Sequence, residues 1–60
     1  MYSIYDCIKG EFVARNETAL SSAILVQNYG RMKEGRHEAV KLQAVDENGG
    51  VFAEFKTVNW

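Results

Sequence analysis

Few side chains in this chain are of a kind that does covalent or acid–base chemistry. Cys7 and His37 could form a nucleophile and its base, but they lie far apart in sequence, and no cysteine-enzyme signature surrounds Cys7. Ser21-Ser22 falls within a helix-forming stretch, without the flanking glycines that force a serine onto a nucleophile elbow. The carboxylates are scattered and include no paired acid–base motif, and Gly30 and Gly35 lack the lysine and the spacing of a phosphate loop. A structural zinc site normally takes four Cys or His ligands, and only Cys7 and His37 are present. Asn16-Glu17-Thr18 matches the glycosylation sequon but reads more simply as the start of a helix. The expectation is a protein with no catalytic residue, no metal and no cofactor, and so not an enzyme.

A second kind of chemistry is electrostatic. Arg31, Lys33, Arg36, His37 and Lys41 cluster after the helix-forming stretch, interrupted by Glu34 and Glu38, with Tyr29 as a neighbour able to stack. Such a patch is what a phosphate-contacting loop needs, so Arg31, Lys33, Arg36 and His37 are candidates for binding nucleic acid or an acidic protein surface. The whole-chain balance argues otherwise: the formal net charge is -1 and the pI about 5.7, whereas nucleic-acid domains commonly exceed a pI of about 9. A solvated loop is the better reading of the cluster.

These residues sit in a chain of 60 residues, one domain and close to the lower limit for independent folding. Chains this short usually rely on disulfides, a metal or association. Cys7 is the only cysteine, which leaves no internal disulfide and, with the ligand count above, points to self-association or a larger partner. A single free thiol fits a reducing, cytoplasmic setting. The longest apolar run, Ala23-Ile24-Leu25-Val26, is far too short for a membrane span, and Met1 is not followed by a signal-peptide pattern. The chain reads as a complete short frame, of the kind by which phages and mobile elements encode modulators of larger proteins.

The elements that must hold these side chains are legible. Ala39 to Val45 and Val51 to Val58 are strand-like runs around Asp46-Glu47-Asn48-Gly49-Gly50, a β-hairpin pattern in which Asn48-Gly49 suits a two-residue type I′ turn. That register sets Ala44 opposite Ala53, Leu42 opposite Phe55 and Val40 opposite Thr57 on a core-facing side, and Lys41 opposite Lys56 on the other; a turn at Gly49-Gly50, which relieves that like-charge pair and keeps the faces unchanged, is the alternative. Residues 2–15 read as an earlier hairpin turning at Gly10-Glu11, with Ile8 opposite Val13 and Asp6 opposite Arg15; a single bent strand from Tyr2 to Arg15 is the competing reading. Between the hairpins Asn16 or Thr18 can cap a helix that runs through Tyr29, with Gly30 ending it. The expected fold is α+β, a four-stranded antiparallel sheet in ββαββ order covered by one helix, with βαββ as the alternative.

The helix has an apolar surplus. At 100° per residue, Ala19, Leu20, Ala23 and Ile24 form one stripe, assigned to the core. Leu25, Tyr29 and Met32 form a second. A helix that is apolar nearly all round is covered on more than one side. The sheet repeats the pattern, with Tyr5, Cys7, Val45 and Phe52 on the side turned from the assigned core. Leu25, Tyr29, Met32, Tyr5 and Phe52 are therefore the candidate partner contacts, with Tyr2 and Trp60 as further aromatics to watch. The functional expectation is a small non-catalytic protein-binding module, homodimeric, acting as a modulator or inhibitor that occupies a larger protein's surface. A nucleic-acid-binding module using 31–41 and a structural subunit of an assembly are the alternatives.

Overall fold

A computed structural model describes residues 1–57, so Val58, Asn59 and Trp60 lie outside the described residues. The elements follow the order β1 (Tyr2–Asp6), β2 (Glu11–Glu17), α1 (Ala19–Gly35), β3 (Lys41–Val45) and β4 (Val51–Lys56). The strands form one antiparallel sheet in the order β2-β1-β3-β4. This is the expected ββαββ arrangement. The two hairpins lie side by side with β1 and β3 central, where Ile4 faces Ala44 and Asp6 faces Leu42.

The central strands carry the core because their inward positions, Asp6 apart, are apolar and covered. Ile4, Leu42, Ala44 and Val40 are buried, together with Val26 of the helix. Burying a Val, Leu or Ile side chain contributes about 1.5–3 kcal/mol. Val13, Ala14, Leu25, Tyr29, Ala53 and Phe55 pack around this cluster.

The second hairpin has the expected register: Leu42 opposes Phe55, Ala44 opposes Ala53, and Lys41 opposes Lys56. Val40 meets Thr57, whose N–H donates to the Val40 carbonyl at 3.0 Å. Its turn differs from expectation. A type I′ turn needs positive φ at both Asn48 and Gly49, and of these two only Gly49 has it, at 81°. The Gly49 N–H donates to the Asp46 carbonyl at 3.1 Å, and the Asp46 N–H donates to the Gly50 carbonyl at 3.0 Å. The loop is thus one residue longer, and the Asp46 carboxylate secures it by accepting from the N–H groups of Asn48 and Gly50. An irregularity between Ala44 and Val45, beside Phe52, absorbs the extra residue.

The first hairpin corrects the expected Gly10-Glu11 turn. Asp6 opposes Glu11, Tyr5 opposes Phe12 and Ile4 opposes Ala14, so neither the Ile8–Val13 nor the Asp6–Arg15 pair exists. Cys7 to Gly10 form a four-residue loop, and Gly10 supplies positive φ at 71°. Asp6 determines this turn. Its carboxylate accepts from the N–H of Ile8 at 3.0 Å and of Lys9 at 3.1 Å, and its carbonyl accepts from Gly10 at 2.8 Å. Asp side chains close turns by bonding backbone a few residues on.

Thr18 caps the helix, its Oγ1 accepting from the Ser21 N–H at 3.1 Å. The far end corrects the expectation that Gly30 terminates it. The helix continues to Gly35, and the Glu38 N–H reaches back to the Lys33 carbonyl while the His37 N–H reaches the Glu34 carbonyl, both at 3.0 Å. That pair of bonds is a Schellman closure, with His37 at φ 58° in the left-handed position that glycine usually fills. Gly30 is needed elsewhere: a Cβ there would lie 2.3 Å from Cγ of Phe55.

The helix also turns a different side to the sheet than the stripe assigned from sequence. Ser22, Val26 and Gly30 are its buried residues, whereas Leu20 and Ile24 are exposed. Small side chains face inward because the helix rests directly on Phe55. Ser22 tolerates full burial because its hydroxyl donates to the Ala19 carbonyl at 2.8 Å.

Candidate functional site

Among the expected contact residues, the structure brings Leu25, Tyr29 and Met32 together. With Asn28 they line an open depression of about 210 Å³ on one flank of α1. Leu25 and Tyr29 are half-buried, since they also pack against the core, while Met32 is 51% exposed. The depression is smaller than the roughly 300 Å³ at which small-molecule pockets begin. It has the size and apolar walls to receive a side chain from another protein.

The depression joins a ridge that combines Leu20 and Ile24, expected in the core, with Met32 of the expected contact stripe. Leu20, Ile24, Asn28 and Met32 follow one another at i+4 spacing and so line up along the helix. Leu20 is 73% exposed and Ile24 50% exposed. The i+4 row is the one by which helices most often interlock with other helices. The sequence signal was present, since the apolar surplus was visible. What it lacked was any indication that the small residues would face inward.

Tyr5 and Phe52 do not join this surface. Tyr5 alternates with the inward Ile4 and Asp6, which places it on the sheet face away from α1. There its ring meets Phe12 edge-on at 4.9 Å between centroids, and the Arg15 guanidinium lies 4.1 Å over Phe12. Phe12 and Arg15 were not anticipated as a cluster, although Phe12 opposite Tyr5 is a favourable cross-strand aromatic pair. Phe52 packs against Tyr2, with centroids 4.9 Å apart. Each of these aromatics is engaged with a neighbour within the chain.

The basic cluster is dispersed. Arg31 and Lys33 lie on the helix rather than in a loop after it. Lys33 turns inward, its side chain 13% exposed, with Nζ 3.5 Å from Oδ2 of Asp6 and 4.0 Å from Oε1 of Glu38. Arg36 pairs with Glu38, Nε to Oε2 at 2.9 Å. His37 serves the helix terminus described above. Only Arg31 of the four keeps an exposed place on the helix without an ion pair among the described residues.

Asp6 is a buried acid whose carboxyl is shifted by its surroundings. Burial pushes its carboxyl up, but the N–H groups of Lys9 and Ile8 and the Lys33 ammonium together outweigh burial and hold it below the ordinary value. It is an anchor between the first turn and the C-terminal half of α1. Glu47 is likewise lowered, by hydrogen bonding to the N-terminal ammonium of Met1. Among the described residues no group of three or more His, Cys, Asp or Glu is placed to hold a metal ion, and no helix is long and apolar enough to cross a membrane. No protein-family model, curated protein or solved structure matches this chain.

Proposed function

We propose that this chain is a non-catalytic protein-binding module that modulates a larger protein by occupying its surface. The observation that carries this reading is the exposed apolar ridge of α1, where Leu20, Ile24 and Met32 are each half or more exposed beside the depression lined by Leu25, Asn28, Tyr29 and Met32. Contiguous exposed apolar surface of this kind marks interaction sites. Met32 and Ile24 are the contact residues, Tyr29 the half-buried aromatic anchor, and Leu25 the floor. We further place the protein in the cytoplasm, as a self-associating modulator of the phage or mobile-element kind, because a chain this short has no disulfide to support it.

The nucleic-acid alternative has less support. Lys33 and Arg36 are directed to Asp6 and Glu38, so two of the cluster's cations are already engaged by carboxylates of the chain itself.

The test is capture of a target from host lysate by wild-type protein and by Met32→Glu and Ile24→Glu variants, with and without nuclease, alongside circular dichroism. The expected result is one stoichiometric protein, resistant to nuclease, retained by the wild type and lost by folded variants. Capture that is indifferent to both substitutions, or that vanishes with nuclease, overturns the reading.

A further inference from the structure

The two edges of the sheet are built differently. β2 is interrupted by two register shifts against β1, and Asn16 within it has φ 59°. Bulges of this kind blunt an edge against pairing with another chain. β4 is regular from Ala53 to Lys56, its one irregularity lying before Ala53. Among the described residues it has no strand on its outer side.

The direction of its free backbone groups follows from its ladder. Thr57 donates to Val40, so Thr57, Phe55 and Ala53 point their N–H and C=O groups at β3. Those of Glu54 and Lys56 point to the open edge. A second β4 added antiparallel must match outward groups with outward groups, which restricts a two-fold axis to Glu54, Phe55 or Lys56. Centring on Glu54 sets Glu against Glu, and centring on Lys56 sets Lys against Lys. Centring on Phe55 sets Glu54 of each copy opposite Lys56 of the other, with the two Phe55 residues adjacent. Opposite charges and aromatic pairs across strands are both favourable.

We infer that the chain forms a two-fold dimer by antiparallel β4–β4 pairing centred on Phe55, giving a continuous eight-stranded sheet. The charge pattern of the monomer fits this occupant. Lys56 stands directly opposite Lys41 within the chain, an unfavourable pair, and the second copy supplies a carboxylate on its other side. Glu54 is already oriented on that face by Gln43, whose Nε2 donates to it at 2.8 Å. The inference deepens the self-association part of the proposed function and does not depend on target binding by the helix ridge.

Sedimentation equilibrium on the wild type, Lys56→Glu, Glu54→Lys and the double swap tests it. Lys56→Glu places a carboxylate opposite Lys41, so the monomer keeps its fold. Each single variant is expected to weaken dimerisation roughly tenfold or more, and the double swap to restore it to within about threefold. Amide exchange gives a second readout: the Glu54 and Lys56 N–H groups become protected only at dimer-forming concentrations. A wild type that stays monomeric, single variants that dimerise normally, a double swap that fails to restore, or unprotected Glu54 and Lys56 amides each overturn the inference. A monomeric Lys56→Glu variant that still captures the target leaves the proposed function standing, which separates the two.

Discussion

The inward and outward sides of α1 differ more in side-chain size than in polarity. Inward lie Ser22, Val26 and Gly30, all buried. Outward lie Leu20, Ile24 and Met32, each half or more exposed. A helix folded for its own stability would place its largest apolar groups inward. Here the sheet supplies the bulk instead, through Phe55, and the helix contributes a close approach at Gly30. The comparison teaches that apolar content on a helix is no guide to its buried side when the partner layer carries the large side chain.

The strongest break of that comparison is at Gly30. Helix propensity alone favours Gly30→Ala by about 1 kcal/mol. With a Cβ 2.3 Å from Phe55 Cγ, the substitution is expected instead to destabilise by up to about 3 kcal/mol, as overpacking does. Urea denaturation measures it, and Phe55→Leu added to Gly30→Ala should recover part of the loss. A stabilised Gly30→Ala variant would show that the inner side does not depend on close approach.

Next in size is the anchor at the inner C-terminal end. Asp6→Ala leaves the Ile8 and Lys9 N–H groups without their acceptor and Lys33 without the nearer of its two carboxylates, at about 1–2 kcal/mol. The pH dependence follows from the lowered carboxyl. Because the folded value lies below the unfolded one, near about 3.9, the contribution is complete above roughly pH 4 and is lost as pH falls through the folded value. Urea midpoints followed from neutral to acid pH should decline less steeply for Asp6→Asn than for wild type. Equal slopes would remove Asp6 from the account of acid stability.

The smallest effect sharpens the comparison from the other side. Leu20→Gln and Ile24→Gln are expected to change stability by no more than about 0.5 kcal/mol, as exposed positions do. A loss of several times that would mean that the ridge is covered within the monomer.

Much of the fold was legible because it depends on local chemistry. Alternation in 39–45 and 51–58 assigned the faces of the second hairpin, and the Asn48-Gly49 register holds from Lys41–Lys56 to Ala44–Ala53 but slips by one residue at Val45. Thr18 was recognisable as a cap because its side chain acts within one turn. The first hairpin was misread because Asp6 bonds the backbone of Ile8 and Lys9, a choice that pattern alone does not weigh against a charge pair with Arg15. The helix end was misread because Gly30, an ordinary stop signal, is required by contact with Phe55, and His37 takes the left-handed closing position instead. Of the candidate site, Leu25, Tyr29 and Met32 were named from sequence and line one depression, while Asn28 was not named and Leu20 and Ile24 were assigned inward although they are exposed.

The sequence by itself determined the element order, the second hairpin's faces and the presence of more apolar surface than one small core can cover, because periodicity and composition are properties of the chain. Only the tertiary structure decided the strand order β2-β1-β3-β4, which side of α1 meets the sheet, and that Lys33 turns to Asp6. Those depend on which large side chain wins a shared space between layers, and Phe55 and Gly30 come together only once both layers exist.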